Sequence, residues 1–273
     1  VLPVVTFREE QQVGYPRAVE RLLREALKRS SYPKRDAAVV LQGDFTENPE
    51  HLVALVKAFD YEAIKAFNQG LGTIPRGPVP AWFPGSPEAG MPEIKTDVEG
   101  AKADLAASGL EGATMKCVIP NTVTEFRFSA TVLQAAAQQI GVTVEIEEAP
   151  FVEAITAIKE NRSNCFILGN ANLSPNDATK FFAAHYLEGG FFNAGRFRDQ
   201  ELEDLIAAMP AEQDEAKRAE MLAKAAQIVV DSHYIIWAAR PTTVVVEPDR
   251  IGGYRIDPAE YVNIRFWEIH AVE

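Results

Sequence analysis

The sequence predicts an α/β fold, with a mixed, mainly parallel sheet flanked by helices. Three consecutive stretches predict it. Thr114 to Pro120 is a short apolar run closed by a proline, which suits a buried strand. Phe126, Ala130, Leu133, Ala137 and Ile140 recur at helical spacing and make one buried face. Val142, Val144 and Ile146 then alternate with Thr143, Glu145 and Glu147, the pattern of a strand covered on one side. A strand, a helix of this length and a second strand form a right-handed βαβ unit, so the two strands run parallel. Thr122 and Glu125 are spaced as a capping box for the helix start, and Gly141 supplies a left-handed stop. Open sheets of this kind bind ligands where their strands finish.

The remaining elements follow in chain order. Residues 15–30 predict a helix with Ala18, Leu22, Ala26 and Leu27 on one side. Asp36 to Leu41 predicts a short strand. Asn48-Pro49 opens a helix whose inner face is Leu52, Leu55, Val56, Phe59 and Ile64, and which runs to Gly70. Residues 73–92 are broken by Pro75, Pro78, Pro80, Pro84, Pro87 and Pro92, so they form a long stiffened loop anchored by Trp82 and Phe83. Asp97 caps a short helix that Gly109 closes. Pro150 begins another, with Phe151, Ile155 and Ile158 on one face. Asn164 to Leu168 is the next strand, and residues 169–198 show no clear period. Helices return at 199–209 and 212–230, and strands at Tyr234 to Ala239 and Thr242 to Glu247.

Composition narrows the function. The 273 residues are 47% apolar and 24% charged, an ordinary globular balance. A net charge of -12 argues against a nucleic-acid partner. No apolar run is long enough to span a bilayer, and Val1 to Arg8 lacks the pattern of a signal peptide. Cys117 and Cys165 both sit in apolar strand-like runs. They read first as two buried thiols, with a disulfide open to them if their strands are neighbours. His51, His185, His233 and His270 show no metal-ligand spacing, and no cofactor is expected.

Signatures of enzyme chemistry are missing. There is no P-loop, no Gly-x-Ser-x-Gly elbow and no His-Glu-x-x-His. Asp231-Ser232-His233 sets triad residue types side by side, whereas triads assemble in space, so it reads as a helix end. Glu145, Glu147 and Glu148 read as a solvated strand edge. The informative segment is Gly169 to Asp177, followed by Phe181-Phe182 and Gly189 to Asn193. It mixes amide side chains, which donate and accept, with aromatic rings, as a cleft for a small polar or peptide-like ligand would. Asn170, Asn172, Asn176 and Asp177 are the expected polar contacts. Phe191, Asn193 and Phe197 are the expected flanking contacts.

A family resemblance accompanies this reading. Val56 to Ile64, Gly70 with the loop from Gly77 to Pro80, and Asp97 through Ala101-Lys102 and Leu105-Ala106 to Gly109 carry part of it. Gln134 through Ile140-Gly141-Val142, then Asn193, Phe197 and Leu202-Glu203, carry more. Asp214, Arg218, Gln227, Gly253-Tyr254 and Pro258 complete it. In order and spacing these positions resemble the periplasmic solute-binding proteins of ABC importers, of the large peptide-, dipeptide- and nickel-binding type known as family 5. The resemblance spans residues 48 to 270. It implies a periplasmic-binding-protein-like lobe that holds a small molecule or peptide and delivers it to ABC permease membrane subunits. It also implies a periplasmic location.

Such proteins are about twice this long, as the resemblance implies, so the chain is expected to be the carboxyl-terminal lobe, with an N-terminal lobe of the same protein missing. The expected division is residues 1–47 with placement left open, 48–240 as the solute-binding lobe, and 241–273 returning toward the other lobe. Peptide-binding members carry an acidic residue, often preceded by Trp, after the strand that ends here at Leu168. This sequence has Asn170, Asn172 and Leu173 there, with Asp177 as the nearest carboxylate. The alternative is a small α/β hydrolase or transferase with an unrecognised site near Asn121, Thr122 and Thr124. A third reading is an interaction domain that docks through its Pro-rich loop, which mutation of Trp82 would test.

Overall fold

The computed structural model describes residues 4–7, 36–41, 50–68, 70, 73–81, 83–170, 178–193, 196–240, 245–248, 251–253 and 268–271. The helix expected at 15–30 lies outside them. The strands are β1 (Val4–Phe7), β2 (Asp36–Leu41), β3 (Thr114–Pro120), β4 (Thr143–Ala149) and β5 (Cys165–Asn170). After them come β6 (Ile235–Ala239), β7 (Val245–Pro248), β8 (Ile251–Gly252) and β9 (His270–Ala271). One sheet has the order β4-β3-β5-β2-β6; β1 pairs with β7, and β8 with β9. β3 runs parallel to β4 from Thr114↔Thr143 to Pro120↔Ala149, and parallel to β5 at Cys117↔Cys165. β2 is antiparallel to both β5 and β6. The sheet is therefore mixed and mainly parallel, as the alternation of apolar runs predicts.

Side chains alternate between two cores, one on each face. Met115, Cys117 and Ile119 of β3 face one core with Ile167, Ile236 and Ala238; Val118, Phe166, Ile235 and Trp237 face the other. Helix α4 (Thr124–Gln139) covers the first face, burying Phe126, Ala130, Leu133 and Ala137. It links β3 to β4. Helix α5 (Phe151–Lys159) links β4 back past β3 to β5 and covers the second face with Ile155 and Ile158. The two connections run in opposite directions along the sheet, so right-handed crossovers place their helices on opposite faces.

The structure revises four local expectations. The long helix after Pro49 is two: α1 (Glu50–Ala58) and α2 (Tyr61–Phe67). Asp60 breaks it, because its carboxylate accepts from the Ala63 N–H at 2.9 Å and caps a new start. The Thr122–Glu125 box is not made; α4 starts one residue beyond Val123, which offers no capping side chain. Within 169–198 lies a helix, α6 (Thr179–Tyr186), burying Phe181, Phe182 and Tyr186. Its aromatic-rich sequence has poor helix propensity and is held by packing instead. Finally, Cys117 and Cys165 form a disulfide across the adjacent strands β3 and β5, with Cα atoms 4.8 Å apart. That separation is the ordinary spacing of neighbouring strands.

Three further helices also start at aspartate caps. Asp97 accepts from Gly100 N–H to start α3 (Val98–Ser108), and Gly109 closes it at φ 71°. Asp199 and Asp214 cap α7 (Gln200–Ala208) and α8 (Glu215–Asp231). The Pro-rich stretch is a strap around the β6 edge of the sheet. Thr73 exchanges backbone hydrogen bonds with Arg240 at 2.9 and 2.7 Å, and Val79, Phe83 and Met91 pack into the second core. Gly85 crosses α8 so closely that a Cβ there would lie 2.9 Å from that of Ala219. Such covering hides the free hydrogen-bonding edge of β6.

Candidate functional site

Topology picks out one edge of the sheet. β3, β4 and β5 finish there, β6 finishes there because it runs along β5, and β2 begins there. β3 leaves this edge toward α4 on the first face; the chain after β5 leads to α6 on the second. Adjacent strands whose exits diverge leave a crevice between them, the switch point where open sheets take ligands. Asn121 and Thr122 are exposed on one side of it, directly after β3. Asn170, the last residue of β5, stands on the other and pairs with Asp36. From the sequence, Asn121 is expected only at the site of a hydrolase alternative, and Thr122 there and in a capping box. The signal for them is their place immediately after a buried parallel strand.

Farther along the same edge, at the end of β6, is a cavity of about 740 Å³, within the range that holds small molecules. Its apolar walls include Tyr61, Ile74 and Ile94; its charged lining includes Arg76, Glu88, Glu93, Lys95 and Arg240. Arg240 Nη1 donates to both carboxylate oxygens of Glu88 at 2.5 and 2.6 Å, and both residues are buried. Glu88 also accepts from the Arg76 N–H at 3.0 Å and the Ala81 N–H at 2.6 Å. One carboxylate thus fastens three points of the strap and the last residue of the sheet. Tyr61 donates to Val56 O at 2.9 Å, and burial pushes its phenol well above its usual range.

Of the seven expected site residues, four fall among the described residues, and these are not gathered at one point. Asn170 is at the switch-point edge. Asn172, Asn176 and Asp177 lie outside the described residues, as does Trp82. Phe191, Asn193 and Phe197 lie beside the far end of α5. Lys159, its last residue, places its ammonium 4.9 Å from the Phe191 ring centroid, and Arg196 donates to Asn161 just beyond. A nine-residue helix is about 13 Å long, so this turn is displaced from the switch point by roughly that length. Phe191 is exposed there. Asn193 is buried with all four amide valences used: it donates to Leu187 O and Phe197 O, both at 2.9 Å, and accepts from Phe197 N and Tyr234 Oη at 2.9 and 3.2 Å. Phe197 stacks on Tyr234, 5.1 Å between centroids.

Residues 44–193, more than half of the chain, match the family described as bacterial extracellular solute-binding proteins, family 5 Middle. The chain belongs to this family. Family 5 proteins bind solutes and are not enzymes. No curated protein matches the sequence closely. Among solved structures, the fold is similar to that of HbpA2 from Haemophilus parasuis, with a TM-score of 0.76 and 22% identity over 89% of this chain and 49% of that one. It is similar to DppA from Helicobacter pylori in complex with the peptide STSA, with a TM-score of 0.75 and 17% identity over 97% of this chain and 55% of that one. A dipeptide-binding protein from Pseudoalteromonas sp. SM9913 in complex with Met-Leu gives 0.73 and 19% over 95% and 56%. The chain thus spans about half the length of the solved structures it matches.

Ser232 donates to Val229 O and His233 Nδ1 contacts Asp231 O, so the Asp231-Ser232-His233 string ends α8 and aligns no triad. Among the described residues, no group of three His, Cys, Asp or Glu side chains could hold a metal ion. Among them, too, no helix is long and apolar enough to cross a membrane. Glu147 pairs with Lys116 at 2.5 Å on the exposed edge strand β4, and that hydrogen bond lowers its pKa.

Proposed function

We propose that this family 5 chain is the solute-binding lobe of the substrate-binding component of an ABC importer. It captures a small solute, an oligopeptide or similar, and delivers it to a membrane permease. The observation that carries the reading is the switch-point crevice, where Asn121, Thr122 and Asn170 stand on either side of the join between β3 and β5. Asn172, Asn176 and Asp177 follow directly in sequence and supply further polar contacts. Asn193 and Phe197 hold the turn that carries Phe191. Similar folds have been solved with the peptides STSA and Met-Leu, which supports a peptide-like solute.

Domain division follows the same logic. Residues 48–240 belong to the lobe together with β2 (Asp36–Leu41), a strand of the same sheet that lies before the expected boundary, and residues 241–273 return toward a second lobe. The chain enters the sheet at β2 and leaves it at β6, neighbouring strands on the ligand edge. Two adjacent crossings suit a hinge that closes around a ligand contacted in the closed state. A periplasmic location fits the Cys117–Cys165 disulfide, because such bonds persist in oxidising compartments.

The test is a titration of the 273-residue chain with Met-Leu, followed through backbone amide resonances. Weak binding is expected, since one wall of the cleft supplies only part of the contacts. The amides of Asn121, Thr122 and Asn170 should move. Movement confined to the Phe191 turn, or none at millimolar peptide, overturns the reading.

A further inference from the structure

We propose that the cavity at the end of β6 is a binding site for a carboxylate carried on a short apolar body, and that Glu93 holds the place of that carboxylate in the ligand-free chain. The inference rests on the reading that this sheet edge faces the solute. Glu93 lies between two cations, with Oε1 3.3 Å from Arg76 Nη2 and Oε2 3.7 Å from Lys95 Nζ. Both separations exceed the roughly 2.7–2.9 Å of a well-formed charge-assisted hydrogen bond. Glu93 is 62% exposed, so the pair of cations holds it loosely.

Arg76, by contrast, is set in place before any ligand arrives. Its Nη1 donates to Met91 O at 2.9 Å, and its backbone N–H is held by Glu88. Its second guanidinium nitrogen faces Glu93. An arginine fixed in this way loses little freedom on binding a carboxylate, and its planar donors suit that group. The other cations are committed elsewhere: Lys65 pairs with Glu62 at 2.5 Å, and Arg240 with Glu88. Beside the Arg76–Lys95 gap, Tyr61, Ile74 and Ile94 line the same cavity with apolar surface. A solute with an aliphatic body and one carboxylate fits both features. The cavity stands two strands along the edge from Asn170, about 10 Å away at ordinary strand spacing.

Two sources carry this chemistry: a free carboxylic acid, and the C-terminal residue of a peptide. Isovalerate, isovaleramide, Met-Leu and the C-terminal amide of Met-Leu separate them when titrated into the full chain with backbone amides as the readout. Isovalerate is expected to move Thr73, Arg76, Lys95 and Thr96, while isovaleramide leaves them still. Met-Leu moving the same amides, with its amide inactive, adds the peptide C-terminus as a source; a response to isovalerate alone restricts the site to free acids. Glu93→Gln removes the competing carboxylate and should tighten isovalerate by about two- to five-fold, the strength of an exposed ion pair. Lys95→Ala should weaken it by a similar factor. Both side chains are exposed, so both variants are expected to fold. No response to isovalerate at millimolar concentration, an equal response to isovaleramide, or a weakening in Glu93→Gln overturns the proposal. If Met-Leu moves Asn121, Thr122 and Asn170 and no carboxylate moves the cavity, the cavity proposal falls and the solute-binding role stands. If the cavity responds and the switch point never does, the reverse holds.

Discussion

Replacing Glu88 with alanine should be among the most damaging single changes in this chain. Glu88 and Arg240 are 5% and 7% exposed. Removing the carboxylate breaks a buried ion pair by taking one partner away, which costs about 3–5 kcal/mol. The Arg76 and Ala81 N–H groups also lose their acceptor, at about 1–3 kcal/mol each where water does not replace it. The adjoining cavity admits water, so the backbone cost is taken at its lower end, and the total comes to about 5–7 kcal/mol. Glu88→Gln keeps one acceptor oxygen and should lose about 2–3 kcal/mol.

Urea unfolding followed by tryptophan fluorescence measures both, as a fall in midpoint at constant slope. The decisive comparison is the double variant Glu88→Ala/Arg240→Met. Taking away the buried guanidinium as well should recover about 2 kcal/mol or more relative to Glu88→Ala alone, because a buried pair removed whole costs far less than one broken. If Glu88→Ala loses under about 1 kcal/mol, or the two substitutions simply add, the pair is solvated and the strap is held by its apolar contacts.

Three other predictions follow from buried groups. Closing a loop across the 48 residues between Cys117 and Cys165 contributes about 4 kcal/mol by chain entropy. The reduced chain should therefore unfold at lower urea, and reductant should act only once the chain unfolds, both cysteines being fully buried. His185, wedged between Phe181 and Phe192, has its pKa lowered by burial to about 4. The unfolded chain takes up the proton first as pH falls through 6.5, so stability is full above that pH. It should decline by about 3 kcal/mol on the way to pH 4, and a His185→Phe variant should flatten that part of the urea-midpoint profile. Asn193→Ala takes away a hydrogen-bond partner from two carbonyls and from the Phe197 N–H, and should cost about 2–4 kcal/mol in thermal or urea unfolding. A loss below about 1 kcal/mol would mean that water substitutes for the amide.

What the sequence made legible divides by the range of the forces involved. The helix start at Asp97 could be read because a cap satisfies N–H groups only two or three residues away. The buried stripe of α4 and the alternation in β4 could be read because each repeats at its own period. Asp60 obeys the capping rule too, but it sits inside an unbroken apolar stripe, and periodicity hid the break. α6 carries its period in four aromatic residues that are poor helix formers, so only the packed second core holds it as a helix. Neither the Glu88–Arg240 pair, 152 residues apart, nor the Asn193–Tyr234 contact, 41 apart, leaves any trace in a window of sequence.

The same division explains how the candidate site was read. Amides and rings in one stretch suggested a single cleft, yet a helix intervenes, and α6 carries the chain away from the switch-point edge between Asn170 and Phe191. Buried Asn193 shows why composition misleads there. An amide is useful to a ligand and to a tight turn for the same reason, its two donors and two acceptor lone pairs, and only coordinates show which partner holds them. The residues at the switch point differ in one physical respect: Asn121 and Thr122 face solvent directly after the buried end of β3, Cys117 to Pro120. Exposure next to rigidity is what a binding wall requires, and it is a property of position in the sheet rather than of residue type.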